Sequence, residues 1–392
     1  MGTPYATISY FVVLGIFLIP IVIASLLGKK LPVYNAFVTL LFLFFTFSRN
    51  EQQGISFIIF IFWQLALVRV YFTYRQKKNQ GGVFVSALLI SIMPLILVKV
   101  LPIFSNHFSI LGFLGISYLT FKAAQMIMEI RDGLIKSYDT WDYVQFLLFF
   151  PTLTSGPIDR FRRFKKNLNA PIVPKEYLYL LNRGIFLIFQ GLLYKFIIAY
   201  LINDKVIYYL KMGIEQHIYF GWSLLGYMYA YSMYLFFDFA GYSAFAVGVS
   251  YIMGIQTPMN FNKPFASRNI KEFWNRWHMS LSFWFRDYIY MRLVFWLTKK
   301  KVFKNKYVIS YIGYFVNFLI MGVWHGLHWY YIAYGLYQAI LFISFDKFER
   351  WNKKRKWYPN NKVTAIIGVI LTFHFICFGF LVFSGIFDTI HW

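Results

Sequence analysis

Long apolar runs separated by short basic segments dominate the chain. The first run covers residues 6–27 without a charge, and further runs lie near 32–48, 54–74, 83–104 and 108–130. About 20 consecutive apolar residues in a helix cross a bilayer core of about 30 Å. The runs are continuous and do not alternate, so they favour helices over a membrane β-barrel. The pattern predicts an all-α integral membrane protein.

The later part of the chain continues the same pattern, with apolar runs near 178–202, 218–254, 307–325, 330–349 and 363–386. Between the first two of these, residues 203–216 predict a polar connection. Within 218–254, the segment Ala240-Gly-Tyr-Ser243 predicts a turn between a full span and a second helix. We predict a single polytopic domain over residues 1–392. It would hold ten or eleven transmembrane helices, with shorter re-entrant or interfacial helices around a central cavity or tunnel.

A shorter apolar segment at residues 142–157 contains Pro151, Gly156 and Pro157. It is too short for a regular crossing, and its prolines cannot continue a helix. Irregular backbone at membrane depth is tolerated where protein or a cavity surrounds it. This segment therefore predicts a re-entrant or broken helix.

The formal net charge is +24, from 39 Lys and Arg against 15 Asp and Glu. In a soluble protein this excess would indicate nucleic-acid binding. Here the basic residues cluster between apolar runs, as is typical of cytoplasmic loops. We therefore expect no nucleic acid as a partner. A second interpretation of the excess is that it binds an acidic cytoplasmic protein or anionic lipid.

Several familiar catalytic signatures are missing from the sequence. The single cysteine, Cys377, allows no disulfide and no cysteine-rich metal site. There is no P-loop, no G-x-S-x-G elbow and no H-E-x-x-H motif. His325 and His328 have the spacing of a shared zinc ligand pair, but no Asp, Glu or Cys stands close to them in sequence. The sequence predicts no metal site.

The stretch Met321-Gly-Val-Trp-His-Gly-Leu-His-Trp329 places two histidines in an apolar, aromatic run. Ionisable groups at membrane depth are costly and are functional candidates by default. Gly322 and Gly326 make a small-residue face on which a helix or substrate can approach closely. A histidine can take a proton from a hydroxyl near neutral pH, and burial would keep it unprotonated. We therefore predict that His325 is a general base and that His328 is structural.

A second stretch, residues 264–290, carries an aromatic stripe. Its members recur every three or four residues, as on one face of a helix: Trp274, Trp277, Leu281, Trp284 and Tyr288. Asn275, His278 and Ser282 follow an adjacent line. One helix of this kind fits either the membrane interface or the wall of a polar cavity. A plain interfacial helix anchored by Trp and Arg remains an alternative.

Five motifs together resemble the membrane-bound O-acyltransferase family. They are Phe237-Asp-Phe-Ala-Gly-Tyr-Ser243, Asn260-Phe-Asn-Lys-Pro264, Glu272-Phe-Trp-Asn-Arg-Trp-His278, Arg286-Asp-Tyr-Ile-Tyr290 and Trp324-His-Gly326. They lie in a core of about residues 110–350. Within the family, the chain looks most like the branch that transfers D-alanine to teichoic acid. The alginate-type O-acetyltransferase branch usually continues with Pro-Leu-Gly-Gly where this chain has Met291-Arg-Leu-Val-Phe295.

The resemblance implies a multi-pass protein of the bacterial plasma membrane that acts as an acyltransferase. Its donor would be D-alanine held as a thioester on the phosphopantetheine arm of a small acidic carrier protein in the cytoplasm. Its acceptor would be a hydroxyl of teichoic acid outside, or of an acceptor-side partner protein. It implies no bound cofactor. An alginate-type O-acetyltransferase, or a transporter or flippase of an acylated intermediate, are the alternative functions.

The resemblance also assigns the site. His325 corresponds to the catalytic histidine of the family, and His278 to a second polar position that orients the acceptor or stabilises an oxyanion. We predict that the substrate-binding residues are Asn275, Ser282, Trp324 and Asp238. Lys122 and Lys195 also interrupt apolar runs, and for each we expect a side chain that extends from a helix end to the interface.

A carrier-docking surface is predicted after the second stretch. Its predicted residues are Arg292, Val294, Phe295, Lys299, Lys300 and Lys301, with Lys304 and Lys306 further along. Apolar contact and positive charge would together suit an acidic partner. An ordinary basic cytoplasmic loop is the alternative.

Overall fold

Helices account for nearly all regular structure in the computed structural model, which describes residues 4–104 and 111–390. No strand occurs in these ranges. The first part of the chain forms α1 (Ile8–Leu26), α2 (Pro32–Phe47), α3 (Glu51–Lys77), α4 (Gly81–Phe104), α5 (Ile116–Arg131), α6 (Thr140–Leu148), α7 (Phe161–Asn169) and α8 (Pro174–Leu192). The apolar run predicted near 108–130 begins with residues 108–110, which lie outside the described residues.

The second part forms α9 (Tyr200–Ile202), α10 (Tyr208–Glu215), α11 (Phe220–Ile252), α12 (Ile270–Trp274), α13 (Met279–Phe285), α14 (Met291–Lys299), α15 (Lys306–His325), α16 (Trp329–Arg355) and α17 (Lys362–Phe383). Within the described ranges, seven helices are long and apolar enough to cross a membrane. The predicted ten or eleven also included α2 and α5, which are shorter, and α16, which is more polar. The prediction of an all-α integral membrane protein is confirmed.

The polar connection predicted at 203–216 is wrong, because the helix continues through it. From Pro174 the chain stays helical to Glu215, through π-helical segments at Leu193–Ala199 and Asn203–Ile207. The charges that suggested a loop are paired along the helix. Lys205 contacts Asp204 at 2.7 Å, and Lys211 contacts Glu215 at 3.6 Å.

The turn predicted at Ala240-Gly-Tyr-Ser243 is also wrong, because α11 runs unbroken for 33 residues. Ala240 and Ser243 are buried. Small residues in this motif therefore allow close packing of a continuous helix and do not end it.

The broken helix predicted at 142–157 is confirmed. After α6 comes a 3-10 turn at Phe150–Thr152, followed by irregular backbone. Lys122 of α5 lies beneath this segment and is 1% exposed. Its ammonium donates to the Phe146 carbonyl at 3.0 Å and to the Thr152 hydroxyl at 3.1 Å. Lys122 thus holds the segment and does not extend to the interface as predicted.

Packing divides the chain into two compact units. One comprises residues 1–191 with 242–258, and the other comprises residues 192–241 with 259–392. In the first unit, a Cβ on Gly184 or Gly248 would meet the other's carbonyl oxygen at 2.8 Å, so two helices cross there at backbone contact. Every predicted site residue belongs to the second unit.

Candidate functional site

Helix α15 carries His325 as its last residue. The Asn305 side chain caps the start of the helix by accepting from Tyr307 N at 2.9 Å. At the other end the chain becomes extended at Gly326, with φ 175° and ψ 172°. The sequence predicted a span at 307–325, and the helix ends at the predicted residue. His325 therefore stands where regular backbone stops, so its imidazole is not covered by a further helical turn.

The predicted small-residue face meets helix α16. A Cβ on Gly322 would lie 2.6 Å from the Tyr331 carbonyl oxygen and 3.3 Å from Cα of Gly335. A Cβ on Gly326, beyond the helix end, would lie 2.5 Å from the Tyr331 ring. Glycine at these positions is what lets α16 approach His325.

His325 lies in an aromatic setting and is half-buried, less covered than the sequence predicted. Its ring centroid lies 4.5 Å from that of Trp324 and 4.9 Å from that of Phe383. The Tyr331 ring stacks at 6.1 Å. This setting orients the imidazole while leaving part of it accessible. His328 is exposed and stacks on Tyr330 at 5.2 Å.

The single helix predicted across the aromatic stripe is wrong, because the chain breaks between α12 and α13. His278 sits at the break with φ 41°, in the left-handed region. Asn260, the first residue of the motif at 260–264, stabilises the start of α13. Its carbonyl accepts from Met279 N at 2.9 Å, and its Oδ1 accepts from the Ser280 hydroxyl at 2.6 Å. These contacts come from distant sequence, so helical periodicity could not reveal them.

The aromatic stripe itself is buried. All five of its members lie in the interior of the second unit: Trp274, Trp277, Leu281, Trp284 and Tyr288. Trp277 stacks on Phe273 with ring centroids 5.6 Å apart. The stripe is therefore packed inside the protein, where only Trp274 also lines the cavity described below, and the alternative of a plain interfacial helix does not fit.

His278 is the more buried of the two candidate histidines, with 4% of its surface exposed. It lies outside the seven membrane-spanning helices, and the Phe239 ring meets its ring edge-on at 4.6 Å. Burial, together with the nearby His325, lowers the pKa of His278 to about 3. Its Nδ1 atom has no hydrogen-bond partner among the described residues. A neutral imidazole with one unused ring nitrogen is suited to hydrogen-bond a substrate.

A cavity of about 300 Å³ opens in the second unit, and neither His278 nor His325 is among its lining residues. It follows α15 from Tyr314 through Asn317 to Met321, one turn before His325. Two predicted substrate-binding residues, Asn275 and Ser282, line it. Sequence reasoning missed Asn317, although it is the one amide side chain in α15.

The cations that line the cavity are already paired. Lys271 Nζ contacts Asp346 at 2.6 Å and Glu349 at 2.8 Å, while Arg286 contacts Asp287 at 2.8 Å. The remaining wall is mainly aromatic and aliphatic. The cavity therefore suits an uncharged, extended ligand with a few polar groups. In the described part of the chain, no three His, Cys, Asp or Glu side chains are grouped to hold a metal ion.

The other two predicted substrate-binding residues lie elsewhere in the second unit. Trp324 contacts His325 and the Phe285 ring, the latter at 6.5 Å between centroids. Asp238 lies on α11, where it pairs with Lys195 Nζ at 2.5 Å, and it does not line the cavity. Lys195, expected to reach for the interface, is held by this ion pair.

The predicted docking residues divide into two groups. Phe295 is 68% exposed, and Lys299, Lys300 and Lys301 are exposed beside it. Val294 instead packs on α15, with its Cγ2 2.8 Å from where a Cβ of Gly313 would be. Arg292 lies over the Tyr288 ring at 5.9 Å.

The predicted carrier-docking surface contains further exposed apolar residues that sequence reasoning missed. We define the α14 surface by its exposed residues: Met291, Phe295, Trp296, Lys299, Lys300, Lys301, Val302 and Phe303. Exposed aromatic residues beside a lysine cluster fit a protein-binding site better than lysines alone do.

Comparison with known proteins places the chain among acyltransferases. The chain is 54% identical to a teichoic acid D-alanyltransferase of Bacillus subtilis (strain 168), over 98% of both chains. It is 46% identical to a teichoic acid D-alanyltransferase of Lacticaseibacillus rhamnosus, again over 98% of both. A probable alginate O-acetylase of Pseudomonas syringae is 31% identical over 69% of this chain and 49% of that protein.

The model of the MBOAT, membrane-bound O-acyltransferase family matches residues 34–387. This range contains both histidines, the cavity and the α14 surface. The chain is an integral membrane protein and belongs to the membrane-bound O-acyltransferase family.

Proposed function

We propose that this protein transfers D-alanine from a thioester on the phosphopantetheine arm of an acidic carrier protein to a hydroxyl of teichoic acid or of an acceptor-side partner. The relatives that match nearly its whole length are named teichoic acid D-alanyltransferases. The observation that carries the proposal is the cavity that follows α15 to within one turn of His325. An extended donor that entered this cavity would point along α15 toward His325.

His325 supplies the base. Its imidazole takes the proton of the acceptor hydroxyl, and the hydroxyl oxygen attacks the thioester carbonyl carbon. The tetrahedral intermediate then collapses, the C–S bond breaks, and the thiolate takes the proton back from the imidazolium. The products are an ester and the free thiol of the carrier. The partial exposure of His325 supports this role, because a base must reach its substrate.

His278 supplies a neutral hydrogen bond. With a pKa lowered to about 3 by burial, it remains uncharged at neutral pH. A neutral imidazole can donate through one nitrogen to the carbonyl oxygen on which negative charge develops. A charged imidazolium so close to His325 would instead make His325 a weaker base. Burial thus keeps the two histidines in different roles.

The α14 surface receives the carrier. Its lysines attract an acidic protein, while Phe295 and Trp296 provide apolar contact. Basic segments are expected on the cytoplasmic side. The surface precedes the first turn of α15, so a docked carrier would face the end of the helix opposite to His325.

The test measures D-alanyl transfer from a loaded carrier to teichoic acid in membranes that contain the wild-type protein or a variant. His325→Ala should lower the rate by at least about 10³-fold, within the range for loss of a general base. His328→Ala is the matched control, because this histidine is three residues away and exposed. Its rate should remain close to that of the wild type. Both variants should accumulate as folded protein.

Two outcomes would contradict the proposal. Undiminished transfer by His325→Ala would exclude its role as the base. A wild-type protein that transfers acetyl but not D-alanyl groups would favour the alginate-type activity.

A further inference from the structure

Asn317, a residue on the cavity wall, carries a buried side-chain oxygen without a hydrogen-bond partner among the described residues. Asn317 is 8% exposed, and its Oδ1 accepts no hydrogen bond from any described residue. A buried amide oxygen without a partner is unfavourable, because it has lost its hydrogen bonds to water and gained none in the protein. Such a group in a cavity calls for a ligand that donates a hydrogen bond.

We propose that Asn317 positions the donor by accepting a hydrogen bond from an amide N–H of its arm. This inference rests on the proposed function, because it concerns the donor that enters the same cavity. Asn317 would be a positioning residue for transfer, whereas His325 acts on the reacting atoms.

The spacing along α15 fits this assignment. Asn317 precedes His325 by eight residues, a rise of about 12 Å at about 1.5 Å per residue. In an extended pantetheine arm, the two amide nitrogens follow the thioester sulfur at about 4 Å and about 9 Å. With the thioester carbonyl beside His325, the arm would run back along α15 and bring an amide to the level of Asn317.

The charges of the cavity exclude an anion as the ligand of Asn317. An acceptor oxygen repels an anion, and the lining cations Lys271 and Arg286 are held by carboxylates. An acyl chain would supply no donor. An amide N–H matches both the unpaired oxygen and the apolar walls of Phe283, Phe318 and Phe342.

The proposal is tested with analogues of the phosphopantetheine arm that each lack one amide N–H. The carrier is loaded with arms in which either amide N–H is replaced in turn by an ester oxygen, which removes the donor and keeps the length. For the wild type, one of the two replacements should lower kcat/KM for D-alanyl transfer by about tenfold. The loss should come mainly from a raised KM, because the arm binds through this contact before the chemical step.

A variant identifies Asn317 as the partner of that N–H. Asn317→Leu should lower kcat/KM with the natural arm by about tenfold, and the sensitive replacement should then have no further effect. Its melting temperature should be no lower than that of the wild type, since Oδ1 loses no protein partner. Asn35→Leu is the matched control, because Asn35 Oδ1 is likewise unpartnered and lines another cavity. In that variant, the amide-to-ester replacement should lower kcat/KM as much as it does in the wild type.

The proposal is overturned if neither replacement affects the wild type, a result that requires no variant. It is also overturned if Asn317→Leu stays as sensitive to both replacements as the wild type. In both cases transfer from the natural arm would continue, so the proposed function would stand. Failure of the wild type to use the natural arm would overturn both.

Discussion

Gly322 of α15 and Gly335 of α16 meet at backbone contact. A Cβ on Gly322 would lie 3.3 Å from Cα of Gly335, and a Cβ on Gly335 would lie 3.2 Å from Cα of Gly322. On the same crossing, the Cβ of Gly335 would lie 2.5 Å from the Phe318 carbonyl oxygen. Because backbone atoms cannot move aside, a methyl group at either position must separate the helices. His325 lies less than one turn beyond Gly322, so this separation would move the base.

Gly322→Ala should therefore lower acyl transfer by at least about tenfold while the protein still folds. A displacement of about 1 Å at a catalytic group can cost about 10²-fold in rate. Transfer assays on purified protein in detergent measure the effect. The control is Gly15→Ala, also within a helix, where a Cβ would meet no atom within 4 Å. Equal activity of both variants would show that the α15–α16 spacing does not set the position of His325.

Burial of His278 predicts a stability that falls in acid. Its folded pKa is about 3 and its unfolded value about 6.5, so the unfolded chain binds more protons between these values. Stability is fully present above about pH 6.5. It should fall by up to about 1.4 kcal/mol per pH unit as pH decreases toward 3.

Thermal unfolding of the detergent-solubilised protein from pH 7.5 to 4.5 measures this dependence. His278→Gln removes the titrating group and should flatten the dependence. His328→Gln changes an exposed histidine and should keep the wild-type slope. If His278→Gln leaves the pH dependence of the thermal stability unchanged, the acid sensitivity comes from other groups.

The ion pair between Lys195 and Asp238 predicts strong coupling of two variants. Lys195→Met leaves an unpaired carboxylate in α11, and Asp238→Leu leaves an unpaired ammonium. Breaking a buried pair on one side costs about 3–5 kcal/mol, less at partly exposed groups such as these. Each single variant should therefore reduce the yield of folded protein, and the double variant should recover much of it.

The same set of variants tests the role predicted for Asp238 in substrate binding. If Asp238 serves mainly as the partner of Lys195, the recovered double variant should also transfer D-alanine at a rate near that of the wild type. Recovered folding without recovered transfer would instead indicate that Asp238 acts on the substrate.

Neutralising the α14 surface should weaken carrier binding. Replacement of Lys299, Lys300 and Lys301 by Gln should raise KM for the carrier several-fold at low salt. The difference should shrink at about 1 M salt, because exposed charges are screened. Transfer kinetics at two salt concentrations measure both effects. The control replaces Lys354, Arg355 and Lys356 by Gln, an equal loss of charge on exposed residues elsewhere. The same rise in KM for both variants would indicate a general charge effect without a specific docking site.

Particular segments show where local sequence was sufficient. The span at 307–325 was predicted almost to the residue, because a basic segment and a Gly-containing motif bound an apolar run. Segment 142–157 was predicted as irregular because proline cannot continue a helix. At 203–216 and 240–243, however, polar and small residues suggested interruptions that the helices do not have. At 203–216 the charged residues pair with one another along the helix and do not interrupt it, and at 240–243 the small residues are buried in tertiary packing that local sequence does not show.

By itself, the sequence determined that this protein is a helical membrane protein, and its motifs carried the resemblance to an acyltransferase family. It could do so because crossing a bilayer imposes a length and an apolar composition on each segment, and both are local properties. Only the tertiary structure decided which polar groups are paired and which are not. Lys122 and Asp238 each have a partner, whereas Asn317 lines a cavity and its buried Oδ1 has none among the described residues. Such pairing depends on residues far apart in the chain, so periodicity along one helix cannot reveal it.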